Sequence, residues 1–326
     1  MSGRRKFLKT LVGGASGLAA SAWLSRAAHA RSNPDTLPVQ TARPGTRSGR
    51  LAVTALDDHL AIVSGAGGNV VALSGPEGVL LIDSGSPDRA HDLLRTVSDL
   101  PGGRRIDTLF NTHWHWEHTG GNDLVRKSGA RIIAHENTRL WLGARIWEEW
   151  QNRTYEPRPR EAWPTETFYG GERTLTFGGE TIQYGYLPQA HTDGDIYVHL
   201  RERNVLVAGC VLSVGQYPIL DYCTGGWIGG MADATQKLLE ISDDKTRIVP
   251  GVGPVQTRAA LAAEHEMLAT LKENLWQLMR KGYGADDMIA AGATRKFDPA
   301  WGSPSLFVEN TYRGLYAHVR EMRGVV

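Results

Sequence analysis

The chain has 326 residues, a length that accommodates one large α/β domain or two average domains. Its 36 lysine and arginine residues nearly balance 35 aspartate and glutamate residues, and 41% of all residues are hydrophobic, as in an ordinary soluble globular protein. No basic stripe stands out in the sequence, so we do not expect a nucleic-acid partner.

The first 30 residues have the features of a twin-arginine signal peptide. Residues 3–9 are basic and contain the paired arginines, residues 11–24 are mildly apolar, and Ala28-His-Ala30 is typical of a cleavage site. The apolar stretch is too short, and too rich in small residues, to span a membrane. We therefore expect a protein that the twin-arginine machinery exports to the periplasm, without a stable membrane anchor after processing.

Residues 31–50 contain proline, arginine and serine without periodicity, which predicts a linker before a domain at residues 51–326. Short apolar runs, many of them β-branched, then alternate with glycine or aspartate, which predicts strands. The predicted strands of the first half are residues 51–56, 60–64, 69–73, 79–82, 108–111 and 130–134. The pattern also predicts a first helix at residues 87–97, with Ser86 as its N-cap.

The segment after the fifth predicted strand concentrates side chains that bind metals. Asn111-Thr-His-Trp-His-Trp-Glu-His-Thr-Gly-Gly-Asn122 contains His113, His115, Glu117 and His118. Neutral imidazoles together with a carboxylate suit zinc. His113 and His115 are two residues apart, so an extended backbone would direct both imidazoles to the same side. The intervening tryptophans, Trp114 and Trp116, are then expected to pack away from the metal.

Residues 136–150 have a helical pattern, and the surrounding chain is rich in tryptophan. Trp147 and Trp150 are three residues apart and would share one helix face. Two interpretations stay open for them, namely core packing or an aromatic wall for substrate, since ligand sites are mostly apolar. His135 directly precedes this pattern, and we expect it to start the helix rather than to bind a metal.

The second half of the chain again runs from strands to helices. Strands are predicted at residues 172–177, 181–187, 196–200, 204–208 and 247–249, and helices at residues 232–241, 256–281, 285–291 and 304–320. This βα rhythm predicts an α/β fold.

The motif His-x-His-x-Glu-His resembles the His-x-His-x-Asp-His signature of the metallo-β-lactamase superfamily. Further landmarks of that family follow in the same order along the chain. They are Leu80-Leu-Ile-Asp-Ser-Gly85, Leu187-Pro-Gln-Ala-His-Thr-Asp-Gly-Asp195, Val205-Leu-Val-Ala-Gly-Cys210 and Ile248-Val-Pro-Gly-Val-Gly-Pro-Val255. The resemblance extends from about residue 57 to residue 254 and implies an αββα sandwich in which loops from both halves meet at one edge.

The resemblance also implies a set of ligands. A first zinc would be held by His113, His115 and His191, and a second by His118 with Glu117 and Cys210 as candidate partners. Asp83 would fix the orientation of a ligand histidine from behind.

Three departures from the family pattern affect the second site, which loses one ligand. Glu117 replaces an aspartate and is one methylene longer, Cys210 replaces a bridging aspartate, and Val252 stands where the last metal histidine is usual. We therefore expect one firmly bound zinc and a second that is weaker or conditional. For Cys210 an alternative stays open, because a disulfide with Cys223 is compatible with export.

The implied activity is that of a zinc-dependent hydrolase. A metal-bound hydroxide would attack the carbonyl of a cyclic amide (β-lactam-like), a lactone or a thioester, with Glu117 orienting the hydroxide as the catalytic carboxylate. One alternative is a catalytically degenerate protein of the same fold that only binds metal or substrate, because one ligand is lost and another is lengthened. Another is iron-dependent oxidation, although the family members that do this resemble a more carboxylate-rich site.

Overall fold

A computed structural model of the chain describes residues 51–101 and 105–322, with side chains up to residue 320. The predicted signal peptide at residues 1–30 and the predicted linker at residues 31–50 lie outside the described residues. Within the described ranges, no helix is both long enough and apolar enough to cross a membrane.

Two sheets form the centre of the described chain. The strands are β1 (Ala52–Ala55), β2 (Leu60–Ala66), β3 (Gly68–Gly75), β4 (Gly78–Ile82), β5 (Ile106–Phe110), β6 (Arg131–His135), β7 (Ile146–Glu148), β8 (Arg153–Tyr155), β9 (Glu166–Phe168), β10 (Glu172–Phe177), β11 (Glu180–Tyr186), β12 (Ile196–Leu200), β13 (Val205–Gly209) and β14 (Arg247–Pro250). The first sheet has the order β1-β2-β3-β4-β5-β6-β9, and the second has the order β10-β11-β12-β13-β14. In both sheets antiparallel hairpins come first and parallel strands follow. Strands β7 and β8 form a separate antiparallel ribbon.

Helices cover the outer faces of the two sheets, and the short helix Trp116–Thr119 lies at the edge that carries the histidine motif. The helices are α1 (Ala90–Ser98), α2 (Trp116–Thr119), α3 (Asn122–Lys127), α4 (Glu136–Leu142), α5 (Ile228–Glu240), α6 (Arg258–Arg280), α7 (Ala285–Ala290), α8 (Asp298–Trp301) and α9 (Ser305–Met322). Buried side chains of α5, α6 and α9 join those of the second sheet in one apolar cluster. Helix α1 packs in the same way on the first sheet.

Alternation of side chains along each strand explains the layers. In β4, Leu80 and Ile82 face the second sheet, whereas Val79 and Leu81 face the layer that contains α1. Burial of each such aliphatic side chain stabilises the fold by about 1.5–3 kcal/mol. Two sheets with helices outside both are an αββα sandwich, which confirms the predicted fold class.

The site-bearing connections leave the strands at one edge of the sandwich. They follow β4, β5, β11 and β13. The Asp83 amide donates to the carbonyl of Phe110 at 2.7 Å, which joins the first two connections. The Ile196 amide donates to the carbonyl of Thr112 at 2.9 Å, which joins the first sheet to the second. These bonds bring distant parts of the sequence to one place.

The predicted helix at residues 136–150 is wrong beyond its first half. Helix α4 begins after His135, whose ring accepts from the Asn137 amide at 3.1 Å, and ends at Leu142. The expectation that His135 starts the helix is confirmed. Gly143 follows against the ring of Trp163, where a Cβ would lie 2.8 Å from a ring carbon, and the chain then turns into the β7–β8 ribbon.

The predicted start of the first helix is also wrong. Ser86 is not its N-cap, because its hydroxyl donates to Asp88 at 2.6 Å and α1 begins at Ala90, after Arg89. The Arg89 amide donates to the Ser86 carbonyl at 3.1 Å, so residues 86–89 form a separate turn before the helix.

Candidate metal centre

Three histidines from two separate loops converge at the edge of the sandwich. His113 and His115 follow β5, and His191 lies between β11 and β12. One ring nitrogen from each lies within 4.8 Å of the others, and His115 Nδ1 is 3.1 Å from His191 Nε2. The edge of a tetrahedral zinc site with ordinary zinc–nitrogen distances is about 3.3 Å. The spacing therefore fits a metal ion.

The second ring nitrogen of two of these histidines is fixed from behind. Thr112 Oγ1 lies 3.0 Å from His113 Nδ1, and the Ile219 carbonyl accepts from His191 Nδ1 at 2.7 Å. Such bonds set the tautomer, because they place the hydrogen on Nδ1 and leave Nε2 bare. In both rings Nε2 is then the free donor to a metal.

His115 is oriented the opposite way. Its Nε2 donates to Asp221 Oδ2 at 3.0 Å, so Nδ1 faces the other two histidines. Asp221 is fully buried and also accepts from the Thr224 hydroxyl. Sequence reasoning missed Asp221, because a single aspartate in a loop carries no signal of its own.

His113 and His191 are held in the neutral form that binds metals. Burial, followed by the neighbouring histidines, keeps the pKa of His113 well below its usual range. Burial also lowers the pKa of His191, to about 3. His113 Nε2 is buried without any hydrogen-bond partner among the described residues. A buried bare nitrogen is costly unless it is coordinated, so the donor set fits a metal.

A second group of ligand atoms adjoins the first. His118 Nε2 lies 3.4 Å from Cys210 Sγ, and His113, His118 and Cys210 have donor atoms within 4.8 Å of one another. Burial opposes protonation of His118, but Cys210 and Asp83 raise its pKa well above the ordinary value. Cys210 and Cys223 are both free thiols in the structure. The structure thus favours the ligand interpretation of Cys210 over the disulfide.

Asp83 lies behind this second group, as the sequence predicts. Its Oδ2 accepts from His118 Nδ1 at 2.7 Å, and its two oxygens accept from the Thr112 amide and hydroxyl at 2.7 and 2.8 Å. The backbone of Asp83 has φ 66°, a strained value for a residue with a side chain. Its three hydrogen bonds compensate for that strain. Gly68 leaves room for the ring, because a Cβ there would lie 2.4 Å from His118 Cε1.

Glu117 occupies a different place from the other candidate ligands. It lies in the first turn of α2 and lines the cavity in front of the histidines. The groups of ligand atoms found within 4.8 Å among the described residues do not include its carboxylate. Its role as a ligand or as the catalytic carboxylate therefore stays a prediction.

The cavity in front of the metal-binding atoms is lined by both polar and apolar side chains. Its lining residues are His115, Glu117, His118, Trp150, Gln151, His191, Cys210, Ser213, Ile219 and Val252. Trp150 belongs to this wall, whereas Trp147 does not line the cavity and is 53% exposed. The two tryptophans do not share a helix face, because Trp147 lies in β7 and Trp150 in the 3-10 turn Glu149–Gln151. Trp114 is fully buried, as expected for packing.

The fold and the histidine cluster together define an α/β sandwich with a metal centre at one edge. The sequence profile of the metallo-β-lactamase superfamily matches residues 63–253. The chain therefore belongs to the metallo-β-lactamase superfamily, whose members are metallo-hydrolases, and this confirms the resemblance found in the sequence.

Individual relatives are distant. The metallo-beta-lactamase type 2 of Bacillus cereus is 23% identical over 200 residues, which cover 61% of this chain and 72% of the relative. A metallo-beta-lactamase from Pontibacter korlensis has a TM-score of 0.55 at 22% identity, covering 67% of this chain and 99% of that one. The stereoselective inverting sec-alkylsulfatase from a Pseudomonas species has a TM-score of 0.62 at 16% identity, covering 82% of this chain and 50% of that one. The solved structures support the fold, and because they include both a β-lactamase and an alkylsulfatase, they leave the substrate of this chain open.

Proposed function

We propose that this protein is a zinc-dependent hydrolase that cleaves a cyclic amide such as a β-lactam, a lactone or a thioester. The observation that carries the proposal is the convergence of three ring nitrogens, with the buried His113 Nε2 lacking any other partner among the described residues. Imidazole nitrogens in this number suit zinc and leave its fourth position open. When bound, zinc supplies Lewis acidity toward a carbonyl oxygen and lowers the pKa of coordinated water.

The chain's own residues supply the remaining functions. Glu117 lines the cavity beside the histidines, where its carboxylate can accept a proton from the attacking water and return it to the leaving group. Trp150, Ile219 and Val252 form the apolar part of the wall. An apolar wall with few polar groups orients a small substrate and excludes bulk water.

We propose one firm zinc site and a second, weaker one. The first has three histidines whose orientations are fixed from behind. The second has His118 and Cys210, shares His113 with the first, and faces Val252 where an additional ligand would be needed. A thiolate favours a soft metal such as zinc, so the second position is expected to fill at higher zinc concentration.

The substrate proposal rests on the family and on the cavity. The relatives found include β-lactamases and an alkylsulfatase, so the family alone admits more than one kind of ester or amide. Cys210 and export favour a β-lactam, whereas Val252 in place of a histidine argues against it. Purified protein, loaded with zinc, should hydrolyse at least one member of a panel containing nitrocefin, lactones, thioesters and alkyl sulfates.

His115→Ala is the matched control for this panel. The hydrolase proposal is supported if the original chain contains stoichiometric zinc and turns over a substrate, and if His115→Ala does not turn over that substrate. Stoichiometric zinc with no turnover of any substrate would favour the alternative, a degenerate protein that binds metal or substrate without catalysis. Iron in place of zinc in the freshly purified protein would contradict the proposal.

We also propose that the protein acts in the periplasm after twin-arginine export. The paired Arg4 and Arg5, the apolar stretch and the Ala28-His-Ala30 sequence support this location. Replacing both arginines by lysine should retain the unprocessed chain in the cytoplasm, as read by cell fractionation and by the mass of the N-terminus. Normal processing of that variant would rule out this route.

A further inference from the structure

Apart from the two groups of ligand atoms, a cluster of buried polar side chains lies behind His115, outside the cavity. Glu148, at the end of β7, and Asp221 are both fully buried, and Cys223 is half-buried. One ligand-type atom from each lies within 4.8 Å of the others. Two buried carboxylates this close together cannot both carry a charge at low cost.

Of the two carboxyl groups, that of Asp221 has the hydrogen-bond donors that stabilise a negative charge. Its Oδ2 accepts from His115 Nε2 and from the Thr224 hydroxyl, and its Oδ1 accepts from the amides of Cys223 and Thr224 at 3.2 and 3.3 Å. Four donors therefore stabilise this carboxylate.

Glu148 has the opposite environment. Neither of its carboxyl oxygens has a hydrogen-bond partner of ordinary geometry among the described residues. An ionised carboxylate buried in this way would be strongly destabilising. Burial, and then the charge of Asp221, raise the pKa of Glu148 to about 9. Glu148 is accordingly neutral at pH 7, and its proton needs an acceptor.

We propose that Glu148 is a positioning residue that donates a hydrogen bond, as a neutral carboxylic acid, to Asp221 and thereby fixes His115 for the metal. Asp221 is the acceptor that the geometry offers, since it lies within 4.8 Å of Glu148 and its carboxylate accepts from four other donors. A carboxylate that orients a ligand histidine controls metal affinity, and loss of such support typically costs about 10–100-fold. Glu148 acts one step further from the metal, through Asp221.

The same residue connects the metal centre to the cavity wall. Glu148 directly precedes the turn that carries Trp150. The Tyr222 hydroxyl donates to Glu149 Oε2 at 3.0 Å, so the turn at residues 149–151 and the turn at residues 222–224 are joined on the solvent side as well. Displacement of Glu148 is therefore expected to disturb both the support of His115 and the wall.

The test compares two substitutions that differ in hydrogen bonding. Glu148→Gln keeps an N–H donor toward Asp221, whereas Glu148→Leu has a similar volume and no donor. Zinc affinity is measured by chelator competition on metal-depleted protein. We expect Glu148→Gln to bind zinc within about threefold of the original chain and Glu148→Leu to bind about tenfold more weakly.

Glu180→Gln is the matched control. Glu180 is also fully buried, but it pairs with Arg203 at the far side of the second sheet from the histidines. It should change stability without changing zinc affinity. Equal zinc affinity of Glu148→Leu and the original chain would overturn the proposal. Equal loss in Glu148→Gln and Glu148→Leu would also overturn it, because a carboxylate that binds a cation would then be the better explanation.

This inference rests on the zinc site of the proposed function, so a second readout separates the two. The infrared difference spectrum between the metal-free original chain and metal-free Glu148→Gln at neutral pH should contain the carbonyl band of a protonated carboxylic acid. Absence of that band contradicts the proposal about Glu148, whatever the metal content. Presence of the band with no zinc uptake by the original chain contradicts the proposed function and leaves the Glu148–Asp221 pair in place.

Discussion

At the scale of single residues, each ligand histidine is held by a different kind of acceptor. His113 is supported by a hydroxyl, His115 by a carboxylate and His191 by a backbone carbonyl. A carboxylate makes the ring it supports more electron-rich than a neutral acceptor does. His115 is therefore expected to be the strongest of the three donors, and His113, whose donor atom is buried without another partner, the one most dependent on the metal.

His113→Ala should eliminate stoichiometric zinc, because it removes the nitrogen that both groups of ligand atoms share. His135→Ala is the control, since His135 is equally buried but caps α4 instead. Metal content by plasma mass spectrometry should fall from about one zinc per chain to well below one in the first variant only. Retention of full zinc by His113→Ala would contradict the assignment of the centre.

Val252→His should strengthen the second metal position. Val252 lines the cavity with His118 and Cys210, where it offers no donor atom. An imidazole there would add a third ligand beside the thiol and His118 and should raise metal content from about one toward two zinc ions per chain. Val252→Phe controls for the added ring volume. Identical metal titration curves for the histidine and phenylalanine variants would show that the second position is not limited by this residue.

At the scale of elements, the turn at residues 149–151 forms one wall of the cavity and is fixed from outside. Glu149 accepts from Tyr222 at 3.0 Å and pairs with Arg313 of α9 at 3.3 Å. Exposed ion pairs of this kind contribute only about 0–1 kcal/mol. The contacts of the half-buried Trp150, and the hydrogen bond from the Tyr155 hydroxyl to Gln151 Oε1 at 2.6 Å, are thus expected to matter more for the position of the turn than the ion pair.

Trp150→Ala should weaken substrate binding more than it slows the chemical step. The side chain lines the cavity and is not among the ligand atoms, so its loss should raise KM by about 5–10-fold with a smaller change in kcat. Trp147→Ala removes a neighbouring exposed ring and should leave both constants unchanged. KM and kcat of both variants are measured by steady-state kinetics, with a substrate that the original chain hydrolyses. Equal effects of the two substitutions on KM would contradict a role of Trp150 in substrate binding.

How far an element could be predicted depended on where its side chains are buried. Strands β10 and β12 lie where the sequence predicts them, because apolar alternation and flanking turns mark their ends. The β7–β8 ribbon gave no such signal, since β7 has only three residues and its tryptophan points outward. In the site, motif histidines were predictable from spacing. Asp221 and Glu148 were not, because their roles arise from a contact between the end of β7 and a loop 73 residues further along the chain.

At the scale of the whole molecule, the metal centre joins the two halves of the sandwich. His113 and His115 come from the first sheet's side, and His191 and Cys210 from the second. A ligand that binds only the folded state stabilises it by mass action. Zinc should therefore stabilise both sheets together rather than one loop, and stability measurements on this protein must fix the metal content.

The second half contains a buried carboxyl that should make stability depend on pH. Glu264 of α6 is fully buried, and its oxygens accept from the Ser213 amide at 2.9 and 3.2 Å. Burial raises the pKa of Glu264 to about 8. Above its ordinary pKa of about 4.3 the unfolded chain loses this proton, while the folded chain keeps it until about pH 8. The unfolded state then binds fewer protons, so stability falls as pH rises through this window.

Glu264→Gln should remove that part of the pH dependence, because an amide can still accept from the Ser213 amide but cannot ionise. Relative to the original chain, the variant should gain about 1–3 kcal/mol in free energy of unfolding at pH 8 compared with pH 5. Urea unfolding of the metal-free proteins at both pH values measures the difference. Glu273→Gln makes the same change at an exposed position of α6 and should leave the slope unaltered. Parallel pH profiles for Glu264→Gln and the original chain would mean that Glu264 is ionised inside the fold, and that Ser213 and its neighbours stabilise the charge.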